Sequence, residues 1–472
     1  MRRELSTVAA SAAVALAMAP AAEAASQLVL DGRGYGHGVG MSQYGALGYA
    51  RHGWTADRIL RHYYGGTKLD RLSSSPTVRV LLQSARASYV VRGASSANGE
   101  LLDPAVAYTV SAGEKGLVLR GDGRSWTTAG TLRLSPPGSA ALQLDGPAQN
   151  GTSSGRYRGA LEVRSAAGGL NAVNAVALED YVAGVISAEV PASWPAETLR
   201  AQAIAARTYA ITTNAGGNGF TQWADTRSQM YRGVAAETAA TNAATRATAG
   251  QVVTYDGAPV PTFFFSTSGG RTENVENSFL GATPKPWLRS VRDQYDTVSP
   301  YHRWGPVRLS LSAATAKLGS LVKGRLRLIR VTRRGVSPRI VAAQIVGSRG
   351  TTQVTGPQLR RALGLRDTWI RLRTFSTDVS RSAPPTTVPR VAARRPAAGT
   401  AMGTGRLVLT GRIAPATRGA RAAIQRRGAD GRWHRARVVR IGRSGAVRAT
   451  LPGAGRYRLA YGGLTGPTVR AE

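Results

Sequence analysis

Residues 178–213, LEDYVAGVISAEVPASWPAETLRAQAIAARTYAITT, decide how the rest of the chain is read. Apolar residues at Leu178, Tyr181, Val182, Val185 and Ile186 follow helical spacing over Ala177 to Ile186 and predict one buried face. Pro191 and Pro195 forbid a helix running through the middle. Pro195 fits the first position of a second helix, Glu197 complements that helix's positive end, and Leu199 to Ile211 is rich in good helix formers. Glu189 therefore falls in the elbow between two helices, where rigid elements can hold a carboxylate at a cleft. The plain alternative is a solvated loop glutamate.

Outward from that elbow, composition removes several chemistries. With no cysteine among 472 residues, disulfides, thiolate nucleophiles and Cys-ligated zinc are excluded. The five histidines (His37, His52, His62, His302 and His434) form no H-E-x-x-H and no close pair. No G-x-S-x-G elbow occurs, since Gly40-Met41-Ser42-Gln43-Tyr44-Gly45 misses it by one residue. The glycine-rich run Gly32 to Ala46 follows a short strand, Gln27 to Leu30, but lacks G-x-G-x-x-G spacing and a P-loop lysine, which argues against a nucleotide site. Its alternating glycines instead permit positive φ and close approach of other chain segments.

The net charge of +36 is uneven: residues 301–472 hold 35 Lys+Arg against 4 Asp+Glu. An exported protein with such a surplus is suited to an acidic wall polymer such as teichoic acid rather than to nucleic acid, and its association should weaken with salt.

The chain divides into residues 1–24, an export signal; 25–375, a mixed α+β domain with a β-rich scaffold over about 77–163; 376–404, a Pro/Ala/Arg-rich linker; and 405–472, a small basic all-β module expected as an Ig-like sandwich. No later segment has the roughly 18 apolar residues of a membrane helix. The mature chain is expected to be secreted, extracellular or wall-associated. Leu47 to Tyr64 reads as one helix, Gln251 to Tyr255 and Val260 to Phe265 as a hairpin around Asp256-Gly257, and Leu326 to Val331 with Ile340 to Val346 as another. Pro357 to Leu363 reads as a short helix.

Several blocks together carry a resemblance. Leu178 to Val185, Ala188 to Pro195, Ala201 to Tyr209, Ser266 to Gly270, Gly356 to Leu365 and Gly36 to Ala46 are similar to the stage II sporulation protein D / amidase enhancer (LytB-like) family, over about residues 26–375. The resemblance implies a secreted lytic transglycosylase acting on peptidoglycan glycan strands. Glu189 would protonate the glycosidic oxygen after N-acetylmuramic acid, then accept the proton of that sugar's 6-hydroxyl as a 1,6-anhydro ring closes. Its pKa should be raised by burial, against Trp194 and Val190. The alternative is a non-catalytic wall-binding protein that assists a cell-wall amidase.

Residues expected to meet substrate are Gln202 and Tyr209 on one helix face, Arg207, Gln229, the Ser266, Ser268, Gly269 and Gly270 turn, and His37, Ser42 and Gln43. Glu179 and Asp180 compete with Glu189 for the catalytic role. Some relatives carry Cys and His near the Ser-Gly-Gly turn that can hold zinc; here the neighbourhood is Phe263-Phe264-Phe265, and no metal or other cofactor is expected. Many relatives place the Gly-His-Gly-Val-Gly block after the Leu-Gly-Leu block. Here it lies at the amino terminus, which reads as a circular permutation if Gln27 to Leu30 pairs beside Trp369 to Leu372.

Overall fold

The computed structural model describes residues 25–217, 219–381 and 406–472. The expected signal, 1–24, and most of the expected linker lie outside the described residues. The described chain is mixed α+β, as expected.

The first strand, Ala25–Gly32, is a seam. It runs antiparallel to Trp304–Ser310 on one side and to Ile370–Arg381 on the other, with Leu30 opposite Leu372 and Gln27 opposite Phe375. Successive side chains of a strand point to opposite faces. Leu28 and Leu30 accordingly enter a core built with the sheet Leu326–Arg334, Ile340–Gly347 and Gly350–Thr355 and the helix Gly356–Leu363, while Val29 enters the core of the carboxy-terminal module. That helix is closed by a Thr355/Gln358 capping box and by Gly364 in the left-handed region.

The carboxy-terminal module has two sheets, but it is not self-contained. Leu407–Ala414 pairs along Ile370–Arg381, so residues 376–381, expected as linker, are strand. Phe375 and Val29, from outside the module, are fully buried in its core. About 68 residues without disulfides make a small core, and sharing a sheet with the larger domain enlarges it.

The β scaffold consists of a seven-stranded and a six-stranded sheet around one core. It extends past Val163, because Gly169–Ala177 is a further strand that pairs with Thr77–Arg86 and Ala160–Ala166. The single strand expected over Tyr157 to Val163 is split at Gly159 (φ +73°), where a Cβ would lie 2.4 Å from the Ala175 carbonyl oxygen. Its halves belong to different sheets.

The helix expected over Leu47 to Tyr64 is two, α1 (Gln43–Arg51) and α2 (Ala56–Tyr63), separated at Gly53 and restarted by the Thr55 cap. Strand Gly169–Ala177 runs without a loop into α3 (Leu178–Glu189), and α4 (Ala196–Thr212) follows the elbow. Pro195 is the N-cap of α4 rather than its first helical residue. The hairpin at Asp256-Gly257 is short: only Ala258–Pro259 pairs back before Phe264–Phe265 joins Met41–Ser42 in parallel. That exchange brings the Ser266–Gly270 turn against the amino-terminal glycine block.

Because the module completes a shared sheet, deleting residues 406–472 should lower the melting temperature of the remaining domain, measured by calorimetry. An unchanged melting temperature would mean that the module is an independent appendage.

Candidate functional site

Glu189 is the last residue of α3, and the chain turns extended at Val190. Its side chain is only partly exposed. One carboxylate oxygen, Oε1, accepts the Met230 N–H at 2.7 Å and the other, Oε2, accepts Gln43 Nε2 at 3.2 Å. Burial raises its pKa above the ordinary carboxyl range, and these two hydrogen bonds to the ionised form oppose the rise. Neither partner is charged, so Glu189 is not locked as a carboxylate. Val190 is buried behind it, and Trp194 packs edge-on to Tyr44 with ring centroids 5.0 Å apart, joining the elbow to α1.

Gln43 reaches Glu189 across 146 residues because of what holds the start of α1. Ser42 is its N-cap: Oγ accepts the Gly45 N–H at 3.1 Å and donates to Asp296 Oδ1 at 3.1 Å. Asp296 also accepts the N–H groups of Ser268 (2.8 Å) and Gly269 (2.9 Å), and His302 Nδ1 lies 2.9 Å from its Oδ2. One buried carboxylate thus joins α1, the Ser-Gly-Gly turn and the segment before Trp304. Neither Asp293 nor Asp296 stood out in the sequence, since both lie in an unremarkable Arg-Asp-Gln-Tyr-Asp run. Met230 contributes a backbone N–H, which no side-chain pattern advertises.

Several expected substrate contacts have internal roles instead. Arg207 has no exposed side-chain surface; it forms a two-pronged ion pair with Glu179 (2.8 and 2.6 Å) and donates to the Gln251 carbonyl. Its guanidinium is consumed in tying α4 to α3 and cannot meet a substrate. The same bond removes Glu179 from contention. Asp180 stands near the opposite end of α3, nine residues from Glu189 and so roughly 13 Å along the helix axis. His37 uses both nitrogens internally, Nε2 against the Phe264 carbonyl (3.0 Å) and Nδ1 accepting the Val39 N–H (3.1 Å); burial among phenylalanines lowers its pKa to about 4 and keeps it neutral. Ser42, Ser268 and Gly269 are buried, with the turn's N–H groups spent on Asp296 and Ser268 Oγ accepting from Gly270. Their polar groups are bonded inside the fold, and through the Ser42 cap they set the start of α1 next to Gln43. Ser266 is partly exposed, its hydroxyl paired with that of Thr267 at 3.1 Å.

Gln202 differs. It is buried, yet neither amide atom has a partner, and Thr198 Oγ1, one turn earlier on the same face of α4, is also unpaired. Tyr209 continues that face; burial raises its phenol pKa, a hydrogen bond to Thr213 opposes the rise and the negative charge of Glu189 adds to it. Gln229 is occupied, accepting from Tyr181 and donating to Ala206, and supports the neighbouring Met230. Gln43 and Met230 therefore hold Glu189 directly, whereas the polar groups of Arg207, His37 and Ser42 are spent on other partners. Among the described residues no group of three His, Asp or Glu side chains is placed to hold a metal.

Comparison with known proteins matches residues 166–255 to the Stage II sporulation protein family. Stage II sporulation protein D of Bacillus amyloliquefaciens is 30% identical over 214 residues, covering 42% of this chain and 60% of that protein. Its counterpart from Bacillus subtilis (strain 168) is 28% identical, covering 41% and 59%. The amidase enhancer of Bacillus subtilis (strain 168) is 37% identical over 113 residues, which is 24% of this chain and 15% of that protein. The chain thus spans about 60% of the length of the sporulation relatives it matches.

Asp293 lies beside Asp296, and burial first, then the Asp296 charge, push its pKa up to about 7. A carboxyl raised in the folded state favours folding while protonated, and that contribution is lost as pH rises from the ordinary carboxyl range, about 4, towards 7. Asp293→Asn should flatten the fall of melting temperature over this interval. A variant with the same pH slope as the parent would remove Asp293 as its cause.

Proposed function

We propose, because this chain carries a domain of the stage II sporulation protein D / amidase enhancer family, that it is a secreted, cell-wall-directed lytic transglycosylase cleaving peptidoglycan glycan strands after N-acetylmuramic acid. The observation that carries the reading is Glu189: a partly exposed carboxyl with a raised pKa, bonded only to neutral groups. A protonated carboxyl there can donate to the glycosidic oxygen as the bond from C1 of the muramyl sugar breaks. The resulting carboxylate then accepts the 6-hydroxyl proton while that oxygen bonds to C1. The proton count closes with no water, giving a 1,6-anhydro sugar and a free hydroxyl on the departing one.

An ordinary glycosidase needs a second carboxyl about 5–10 Å away. Glu179 is held by Arg207, and Asp180 is at the far end of α3. The transfer of one proton out and one proton back suits a single carboxyl whose pKa is lifted towards the working pH. The unpaired amide of Gln202 supports a role for that residue towards sugar hydroxyls.

The match to an amidase enhancer favours a second reading, in which the chain binds wall glycan and stimulates a separate amidase without bond cleavage. The surplus of arginine after residue 301 supports attraction to acidic wall polymer under either reading.

Purified protein on peptide-free glycan strands should release anhydromuramyl products, and Glu189→Gln should reduce release by about 10²–10⁴-fold, the usual contribution of a general acid–base. Release should decline as pH rises through the raised pKa of Glu189, because the donor must be protonated. Gln43→Ala removes a hydrogen bond to the carboxylate and should move that limb to higher pH with a smaller loss of rate. Absence of products, with amidase stimulation that survives Glu189→Gln, would decide for the second reading.

A further inference from the structure

A cavity of about 490 Å³ opens at the end of the first strand, between Asp31–Arg33, Trp304–Pro306 and Trp369–Arg371. Glu189 and its neighbours take no part in it. Trp304 is fixed there by the sequence: Gly32 has no side chain, a Cβ would lie 2.2 Å from the indole, and Trp304 Nε1 donates to the Gly34 carbonyl at 2.9 Å. Across the cavity the Arg33 N–H donates to the Trp369 carbonyl at 2.9 Å, and the Arg33 guanidinium lies 5.6 Å from the Trp369 ring centroid.

The charges do not balance. Arg371 is paired with Asp31 through two bonds, at 2.9 and 2.5 Å. Among the described residues that leaves Arg33 and Arg303 without a carboxylate bonded to either guanidinium. Burial and the repulsion of Arg303 and Arg371 lower the Arg33 pKa, a cost that an anion between them would relieve. Arginine presents a planar fork suited to carboxylate or phosphate, and indole faces suit the apolar face of a ring.

We propose that this cavity is a binding subsite for an acidic saccharide, its ring against Trp304 or Trp369 and its carboxylate or phosphate between Arg33 and Arg303. The choice of a sugar rather than a nucleotide rests on the wall-directed reading above; the anion does not. The subsite is joined to the Glu189 side by Asp296, which holds both Ser42 and His302, the residue before Arg303. A strand bound here would be anchored by its charge at a point outside the Glu189 site.

Calorimetric and tryptophan-fluorescence titrations of the full chain with N-acetylmuramic acid, N-acetylglucosamine 1-phosphate, neutral N-acetylglucosamine and a single-stranded oligothymidylate test this. The acidic sugars should saturate and bind about tenfold or more tightly than the neutral one, the size expected for a hydrogen bond to a charged group. Arg33→Ala and Arg303→Glu should each weaken them at least tenfold, whereas Glu189→Gln should leave them unchanged, which separates this site from the proposed reaction. Arg303 is exposed, so its reversal tests the site even where Arg33→Ala unfolds the strand end. Preference for the carboxylate sugar points to glycan strands, and preference for the phosphate sugar to a phosphate polymer. Equal affinity for the neutral sugar, indifference to Arg303→Glu, absence of saturation, or tighter binding of the oligonucleotide would overturn the proposal.

Discussion

The carboxylate of Asp296 is the point on which the site depends. It is fully buried and accepts from the Ser42 hydroxyl and from the Ser268 and Gly269 backbone, with His302 against its second oxygen. A buried charge of this kind is costly unless hydrogen bonds surround it, and here they come from Ser42, 254 residues away, from the Ser268–Gly269 turn and from the nearby His302. Assembling those segments is therefore a condition of burying Asp296. The consequence reaches Glu189, because Ser42 caps α1 and the next residue is Gln43. Beside it, the buried pair Arg339 and Asp367 performs a similar service: Arg339 donates to the Ser268 and Arg271 carbonyls, and Gly34 and Gly38 lack side chains where that guanidinium and carboxylate pack.

The glycines of the amino-terminal block follow from this packing. A Cβ on Gly38 would lie 2.5 Å from Arg339 Nε, and one on Gly34 would lie 2.5 Å from an Asp367 oxygen. Both residues also have positive φ. The block is thus a lining laid over buried charges, and it meets the Ser-Gly-Gly turn through the bridge between Tyr35 and Thr267. The pairing of the first strand with Ile370–Arg381 fixes where this lining begins. The same strand carries one apolar face to each of two cores, so the amino terminus, the central domain and the last module share one sheet.

Much of this was legible because it depends on local rules. Helical spacing marked α3 and α4, Pro357 to Leu363 read as a short helix, and the short apolar run Gln27 to Leu30 marked a strand that pairs beside Leu372. What was not legible depends on contacts. Periodicity assigns Arg207 to a face of α4 but not to Glu179, and so a buried ion pair looked like a substrate contact. Gly159 and Gly53 each break an apolar run that continues on both sides, and only the neighbouring carbonyl or cap explains the break. The module looked independent because its own strands are regularly spaced, while the strand that completes it precedes residues 382–405.

The placement of Glu189 at the end of α3 bears on its acidity. A helix carboxyl end concentrates unpaired carbonyls and disfavours negative charge, whereas the N–H of Met230 and the amide of Gln43 favour it. Burial acts with the helix end, and the raised pKa is the outcome of that opposition. Had either partner been an arginine, the carboxylate would have been favoured strongly and proton donation made correspondingly harder. Neutral donors orient the carboxyl without fixing its charge. Arg207 is instead spent on a glutamate at the other end of α3, and the elbow carboxyl keeps only neutral partners.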